Sequence, residues 1–300
     1  MNVDKCSIVV CTFNRLAYLK DCLSYLAKLN FPNYEIVVVN DGSTDGTKEF
    51  LDSVNDQKIR VVHHGKNQGL SQARNTGIQN VHYEIIAFTD DDCNAESSWL
   101  TYLLRGFVSE QIGFVIGATH YISKTYKGYF PERLVSNRDA RWPMGCNIAY
   151  QKCVFDEIGG FDHSFFTYNN EDSEMALRAI AHGFSFNRAH NAVVYHQRAT
   201  WTPKSLLHSA RNASVWPILK KKYPNHYLEF GPPVKFGFIV NAGDYLSILT
   251  APIFIPLLLL RYLLHGKRGL KIFFTKWPVY LLLRRYYIYK EAIKNRVLMI

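Results

Sequence analysis

Three hundred residues, 48% of them hydrophobic, suffice for one large core or two modest domains, and the absence of low-complexity stretches and internal repeats excludes the disordered and repetitive classes. The formal charge of +10 is unevenly placed: residues 1–200 hold 19 Lys+Arg against 22 Asp+Glu, whereas residues 201–300 hold 16 against 3, so the basic character belongs to the last third. Six cysteines (Cys6, Cys11, Cys22, Cys93, Cys146, Cys153) form no CxxC pair and have no histidine at zinc spacing. With a first strand that follows almost directly on the start and no charged, apolar leader, they predict reduced thiols in the cytosol.

The first half alternates apolar runs with helical patterns: CSIVVCTF then LAYLKDCLSYLAKL, YEIVVVND then DGSTDGT and KEFLDSV, IRVVHH then GLSQARNTGI, YEIIAFTDD then SSWLTYLLRGFV. Val/Ile runs without alternation are buried on both faces, and intervening helices make the crossovers parallel, which predicts an α/β sheet wound like a nucleotide-binding fold. Ligands of such sheets collect at the carboxyl ends of the strands. A further strand, IGFVIGATHYI, leads into a charged stretch from Ser123 to Arg141, expected to be a loop able to move over a site. MGCNIAYQ, a short helix through Val154 to Ile158, the GGFD turn, a helix over about Asn170 to His182 and a strand at AVVYH follow. A helix is predicted from Pro203 to Lys222, then apolar segments with basic flanks.

Chemistry-bearing residues fall at the strand ends. IIAFTDDDC delivers Asp90, Asp91 and Asp92 at the tip of a strand, where alternation puts Asp90 and Asp92 on one side and Asp91 on the other. Converging carboxylates require positive charge between them, and hard cations such as Mg2+ or Mn2+ take oxygen ligands, which points to a phosphate or diphosphate nearby; a solvated turn is the plainer alternative. Asn40 to Asp45 reads as a tight turn with a helix cap, yet Asp41 sits where a carboxylate could accept from a base or ribose. In NQGLSQARNTG, Arg74 lies early in a helix among small residues, either solvated or placed to hold phosphate oxygens. Asn169, Asn170, Glu171 and Asp172 precede a helix. One carboxylate serves as a cap, and the second suits a general base for a sugar hydroxyl. His196 ends AVVYH, as a structural hydrogen bonder or as a metal ligand.

Taken in order, SIVVCTFNR, VVVNDGSTDGT, NQGLSQARNTGI, IIAFTDDDC, GCNIAYQKCVFDEIGGFD and NNEDSEMALRAIAHG resemble the family 2 glycosyltransferases over about residues 5–200. The resemblance implies a GT-A fold, a mixed nucleotide-binding sheet flanked by helices, with a nucleotide-sugar half over 1–95 and an acceptor half over 96–200. It implies that Thr12 and Asn14 line the nucleobase pocket, that Asp41 binds the nucleoside and that Arg74 lies on the nucleotide side. It also implies that Asp90 and Asp91 touch the nucleotide sugar, and that Asp90 and Asp92 coordinate a divalent cation, with His196 a ligand in some members. Asp172 matches the catalytic base, and Glu171, Gly145, Asn147, Gly159, Gly160 and Asp162 fall on the acceptor side. The implied activity is inverting transfer of a sugar from a nucleotide-diphosphate donor to an acceptor hydroxyl, in cell-surface polysaccharide or glycolipid synthesis. The alternatives are a sugar phosphate nucleotidyltransferase, whose glycine-rich basic loop is replaced here by CTFNRLAYL, and a non-catalytic scaffold.

Residues 201–300 form the basic, apolar remainder. Tyr245 to Leu260 contains no charge until Arg261, and extending it to Leu264 gives a marginal span that Pro252 and Pro256 would kink. KIFFTKWPVYLLLRRYYIYK mixes aromatics with Lys and Arg, as in segments lying in an anionic headgroup layer. These features predict a helical region that associates with the cytoplasmic face of the membrane, peripherally or through one inserted segment, next to a glycan or lipid-linked acceptor; the apolar run argues against nucleic acid.

Overall fold

A computed structural model describes residues 3–122, 132–133, 136–167, 170–197, 199–240, 249, 253, 255–257, 259–260 and 274–299. The chain divides into two compact units. One comprises Met1–Ile122, Val135–Phe166 and Glu171–Gln197; the other comprises Ser123–Leu134, Thr167–Asn170 and Arg198–Ile300.

In the first unit the elements run β1 (Cys6–Thr12), α1 (Leu16–Leu26), β2 (Tyr34–Asn40), α2 (Thr47–Asp52), β3 (Ile59–His63), α3 (Leu70–Gln79), β4 (Ile85–Asp90), β5 (Cys93–Ala95), α4 (Trp99–Leu104) and β6 (Ile112–Tyr121). After β7 (Glu132–Arg133) of the second unit come β8 (Ile148–Gln151), α5 (Lys152–Ile158), α6 (Glu171–Ala181) and β9 (Ser185–His196). Eight strands form one sheet in the order β3-β2-β1-β4-β8-β6-β9-β5. β3, β2, β1 and β4 are parallel, as their unbroken apolar runs predict, whereas β8 is antiparallel to both β4 and β6. All seven residues of β2 are buried because both faces are covered. One face packs Ile8, Val10, Ile36 and Val38 against Leu19, Cys22 and Leu26 of α1 and Trp99, Leu100 and Leu103 of α4. On the other, Phe88 meets Tyr150, Phe155 and Phe161 edge-on at 5.5–6.3 Å.

Two elements of the first unit differ from expectation. β9 begins at Ser185 rather than near Ala192, because its polar first half pairs in parallel with β6, and a register shift opposite Gly117 and Ala118 takes the pairing from Ala189 to Val193. The three residues of β5, too short to carry a hydrophobic pattern, pair antiparallel with the end of β9.

In the second unit, the helix expected over Pro203 to Lys222 is broken into α7 (Pro203–Ser209), a 3-10 turn (Asn212–Ser214) and α8 (Val215–Lys222). Thr202 caps α7: its hydroxyl accepts from the Ser205 N–H at 3.1 Å while the Ser205 hydroxyl accepts from the Thr202 N–H at 3.0 Å. Pro217, lacking an N–H, fits the first turn of α8, where that donor would be unpaired anyway. The long helix Trp277–Asn295 packs on α8 and the 3-10 turn and buries Leu281, Ile288 and Ala292. β7 pairs with β10 (Ala199–Thr200), so part of the Ser123 to Arg141 stretch is a strand; residues 123–131, expected to move over a site, lie outside the described residues. Most of the run from Tyr245 to Leu264 and Asn169 also lie outside them. Among the described residues no helix is long and apolar enough to cross a membrane.

Candidate active site

The tips of β1 and β4 are adjacent, with Cys11 paired to Asp90. The tip of β1 is tied to the turn after β2. Asn14, at φ +53°, donates its N–H to the Ser43 hydroxyl at 2.9 Å and accepts from the Thr44 N–H at 2.7 Å, and Asp45 accepts from the Leu16 N–H at 3.0 Å, where α1 begins. Gly42 is required in that turn: its φ is +73°, and a Cβ there would lie 2.5 Å from the Lys66 carbonyl carbon. Asp41, 3% exposed, accepts from the N–H groups of Gln68 and Gly69 at 2.8 and 2.9 Å and from His64 Nδ1 at 2.7 Å. A nucleoside would therefore meet a carboxylate already held by the loop that opens α3.

β4 ends at Asp90, and Asp91 and Asp92 form a tight turn into β5. Strand alternation consequently does not extend over the acidic triplet. The expectation that Asp90 and Asp92 share one side with Asp91 opposite is corrected: Asp91 and Asp92 converge on one nitrogen, Arg15 Nη1, at 2.9 and 2.7 Å. Thr12 donates its hydroxyl to the other oxygen of Asp91 at 2.7 Å. Burial pushes the Asp91 carboxyl up to about 6 against the opposing pull of Arg15 and Thr12. Asp90 turns instead toward Arg74, whose Nη2 lies 3.3 Å from its Oδ1.

Among the described residues the ligand atoms of Asp92, Cys93 and His196 lie within 4.8 Å of one another, and Asp90 is not in that group. His196 Nδ1 donates to the Gln197 carbonyl at 2.8 Å, and Nε2 faces Asp92 Oδ1 at 3.5 Å. Ligand bonds of about 2.1 Å place two ligands of one ion about 3 to 3.5 Å apart, so this pair fits a divalent cation, and the hydrogen bond at Nδ1 is the outer-shell partner that ligating histidines carry. Cys93 does not fit a hard cation, because burial holds it as a thiol.

The second half of the site is built on Arg74. Its Nη1 donates to Glu171 Oε1 at 2.5 Å, and the guanidinium lies 5.4 Å from the Phe161 ring centre. Gly145 is required beneath it, since a Cβ there would lie 2.2 Å from Nη2. The Gly145 N–H donates to Asp172 Oδ2 at 3.0 Å, and the Ser173 N–H to Asp172 Oδ1 at 2.7 Å. Burial, then the Glu171 carboxylate, push the Asp172 carboxyl up to about 7, with Arg74 and the two N–H donors pulling the other way. Asn75 receives and returns the backbone hydrogen bonds of Phe161, and Arg178 donates to the carbonyls of Ile158 and Gly160, so α3 and α6 together fix the GGFD turn.

The structure thus brings Thr12, Asp90, Asp91, Asp92 and His196 to one end of the sheet, and links Asp90 through Arg74 to Glu171, next to Asp172 and Gly145. Asn147, expected on the acceptor side, is corrected to a core residue: it is fully buried, donates to the Ala118 and Ala192 carbonyls and accepts from Trp99 Nε1 at 2.8 Å. Sequence reasoning missed Arg15, His64 and Asn75. The signal for Arg15 was a cation at the start of α1, facing three consecutive acids that need one.

Residues 7–175 match the family model described as glycosyl transferase family 2. Glycosyltransferase GlyA of Streptococcus pneumoniae is 29% identical over 165 residues, 55% of this chain and 22% of its own length. The teichoic acid poly(glycerol phosphate) polymerase of Staphylococcus epidermidis is 24% identical over 260 residues, 81% of this chain and 35% of its own length. The chain thus spans well under half of either relative. Among solved structures, the mannosyltransferase PcManGT from Pyrobaculum calidifontis, in complex with GDP-Man and Mn2+, aligns with a TM-score of 0.61 at 16% identity, covering 97% of this chain and 87% of that one. That likeness establishes the GT-A fold. With more than half of its length matched by the family model, the chain belongs to glycosyl transferase family 2.

Proposed function

We propose that the protein is an inverting glycosyltransferase that moves a sugar from a nucleotide-diphosphate donor to an acceptor hydroxyl. The observation that carries this reading is Asp172, a carboxyl raised to about 7 whose two oxygens are aimed by backbone donors beside the Glu171–Arg74–Asp90 chain. Such a group is both ionised near neutrality and basic enough to accept a hydroxyl proton. Thr12, Asn14, Asp41 and Asp91 form the nucleoside side. Asp92 and His196 would hold a divalent cation, Mn2+ or Mg2+, with Asp90, turned toward Arg74, on the ribose side. When bound, that cation neutralises charge developing on the diphosphate.

Asp172 takes the acceptor proton while the acceptor oxygen forms its bond to the anomeric carbon. The bond from that carbon to the phosphate oxygen breaks on the opposite face, and the nucleoside diphosphate leaves with the electron pair. Arg74 stays charged because Glu171 and Asp90 outweigh the cost of its burial, and its Nη1 holds the Glu171 side chain in place beside the base. Gly145 and Glu171 form the acceptor side.

The acceptor we propose is a glycan or lipid-linked polymer at the cytoplasmic membrane face. Supporting it are the 16 Lys+Arg against 3 Asp+Glu in residues 201–300, and apolar side chains of the same region that face solvent, among them Ile253, Leu257, Leu282 and Ile293. The test is transfer from a panel of nucleotide sugars with Mn2+. Asp172→Asn is expected to lower kcat by about 10²- to 10⁴-fold with donor binding retained, and a variant as active as its parent would remove Asp172 as the base.

A further inference from the structure

We propose that Arg15 is a built-in counter-ion that yields the acidic turn to the divalent cation and passes to the donor's diphosphate, so that cation and nucleotide load together. This rests on the reading of Asp92 and His196 as cation ligands. The Arg15 side chain is 44% exposed, whereas the Asp91 and Asp92 side chains it joins are 4% and 8% exposed. The acidic turn is anchored without Arg15: Thr12 holds the Asp91 carboxylate, and the backbone of Asp92 is held by the Gln197 N–H, which donates to its carbonyl at 2.7 Å. Arg15, reaching in from solvent, is the member free to move, and half-exposed Tyr18 offers its guanidinium a second resting surface, with the ring centre 5.8 Å away.

A single carboxylate separates the two positive charges. Arg15 Nη1 sits 2.7 Å from Asp92 Oδ2, while His196 Nε2 faces Asp92 Oδ1 at 3.5 Å. A cation between Asp92 and His196 is therefore repelled by the guanidinium as long as the guanidinium stays in place. A diphosphate removes the conflict, because its oxygens accept a guanidinium at least as well as two carboxylates do and add the negative charge that a second cation requires. Cation and nucleotide affinities are then positively linked, and Arg15 is the link.

Mn2+ binding to the full chain, followed by the electron paramagnetic resonance of the free ion, tests this alone and with UDP, GDP, ADP or CDP, whichever the parent binds. Arg15→Gln is expected to tighten Mn2+ alone about tenfold and to weaken the nucleotide in the presence of Mn2+ about tenfold, with Arg15→Lys between the two. Mn2+ affinity unchanged or weakened in Arg15→Gln, or tightened with nucleotide affinity unaltered, would overturn the assignment and leave the donor site standing. A parent that binds neither Mn2+ nor any of these nucleotides would overturn both.

Discussion

Arg74 is buried with carboxylates on two sides, and only the missing side chain of Gly145 leaves room for it. Gly145→Ala should displace the guanidinium and strand its partners. Breaking one side of a buried pair costs about 3–5 kcal/mol, so a clear fall in Tm with kcat/KM lowered about 10- to 100-fold is expected, and parent-like values for both would contradict the packing described. Asp172 makes a second prediction. Its carboxyl rises from 3.8 to about 7 on folding, so the folded state keeps a proton that the unfolded chain releases between those values. The unfolded state then binds fewer protons, and stability declines as pH rises from about 4 to 7. Denaturant titrations across this range should show the decline in the parent and a flatter dependence in Asp172→Asn. The positions of Arg74, Asp90 and Asp172 at a helix start, a strand end and a second helix start were legible in the sequence, where a solvated charge or a cap was the plainer alternative for each and the family resemblance supplied the roles. The grouping of Asp91 with Asp92 was not, because a two-residue turn cancels the alternation on which side-chain direction was inferred.

At the scale of elements, the GGFD turn is held by Asn75 of α3 together with Arg178 of α6. Asn75 pairs with both the N–H and the carbonyl of Phe161, so Asn75→Ala should cost about 2–3 kcal/mol by leaving two backbone groups unsatisfied, measurable by denaturant midpoint. Tyr150 provides the opposite case. Its ring packs among Phe88, Phe114 and Phe155, while its buried hydroxyl has no hydrogen-bond partner among the described residues, so Tyr150→Phe should change stability by no more than about 0.5 kcal/mol in either direction. The parallel strands were legible because runs such as YEIVVVN leave no polar face. β5 and the first half of β9 were not, since three residues carry no period and SFNRAHN is set by pairing with β6 rather than by burial. The break between α7 and α8 follows from the 3-10 turn and Pro217, whose effect on a helix depends on where the first turn falls.

For the whole molecule, charge and apolar exposure coincide in residues 201–300. Sedimentation with vesicles of phosphatidylglycerol and phosphatidylcholine should increase with the anionic fraction and fall with salt, and Leu282→Glu with Ile293→Glu should reduce it several-fold; binding indifferent to lipid charge would contradict a basic membrane-facing surface. The last segment of the second unit, Arg198–Ile300, starts where the composition changes, whereas nothing in the composition marks Ser123–Leu134 and Thr167–Asn170 as members of that unit. The central claim, that a carboxyl held near 7 removes the acceptor proton, is tested most directly by the pH dependence of kcat/KM for glycosyl transfer. The account predicts an acid limb with an apparent pKa of about 7 that is absent in Asp172→Asn, and a limb that persists unchanged in that variant would contradict it.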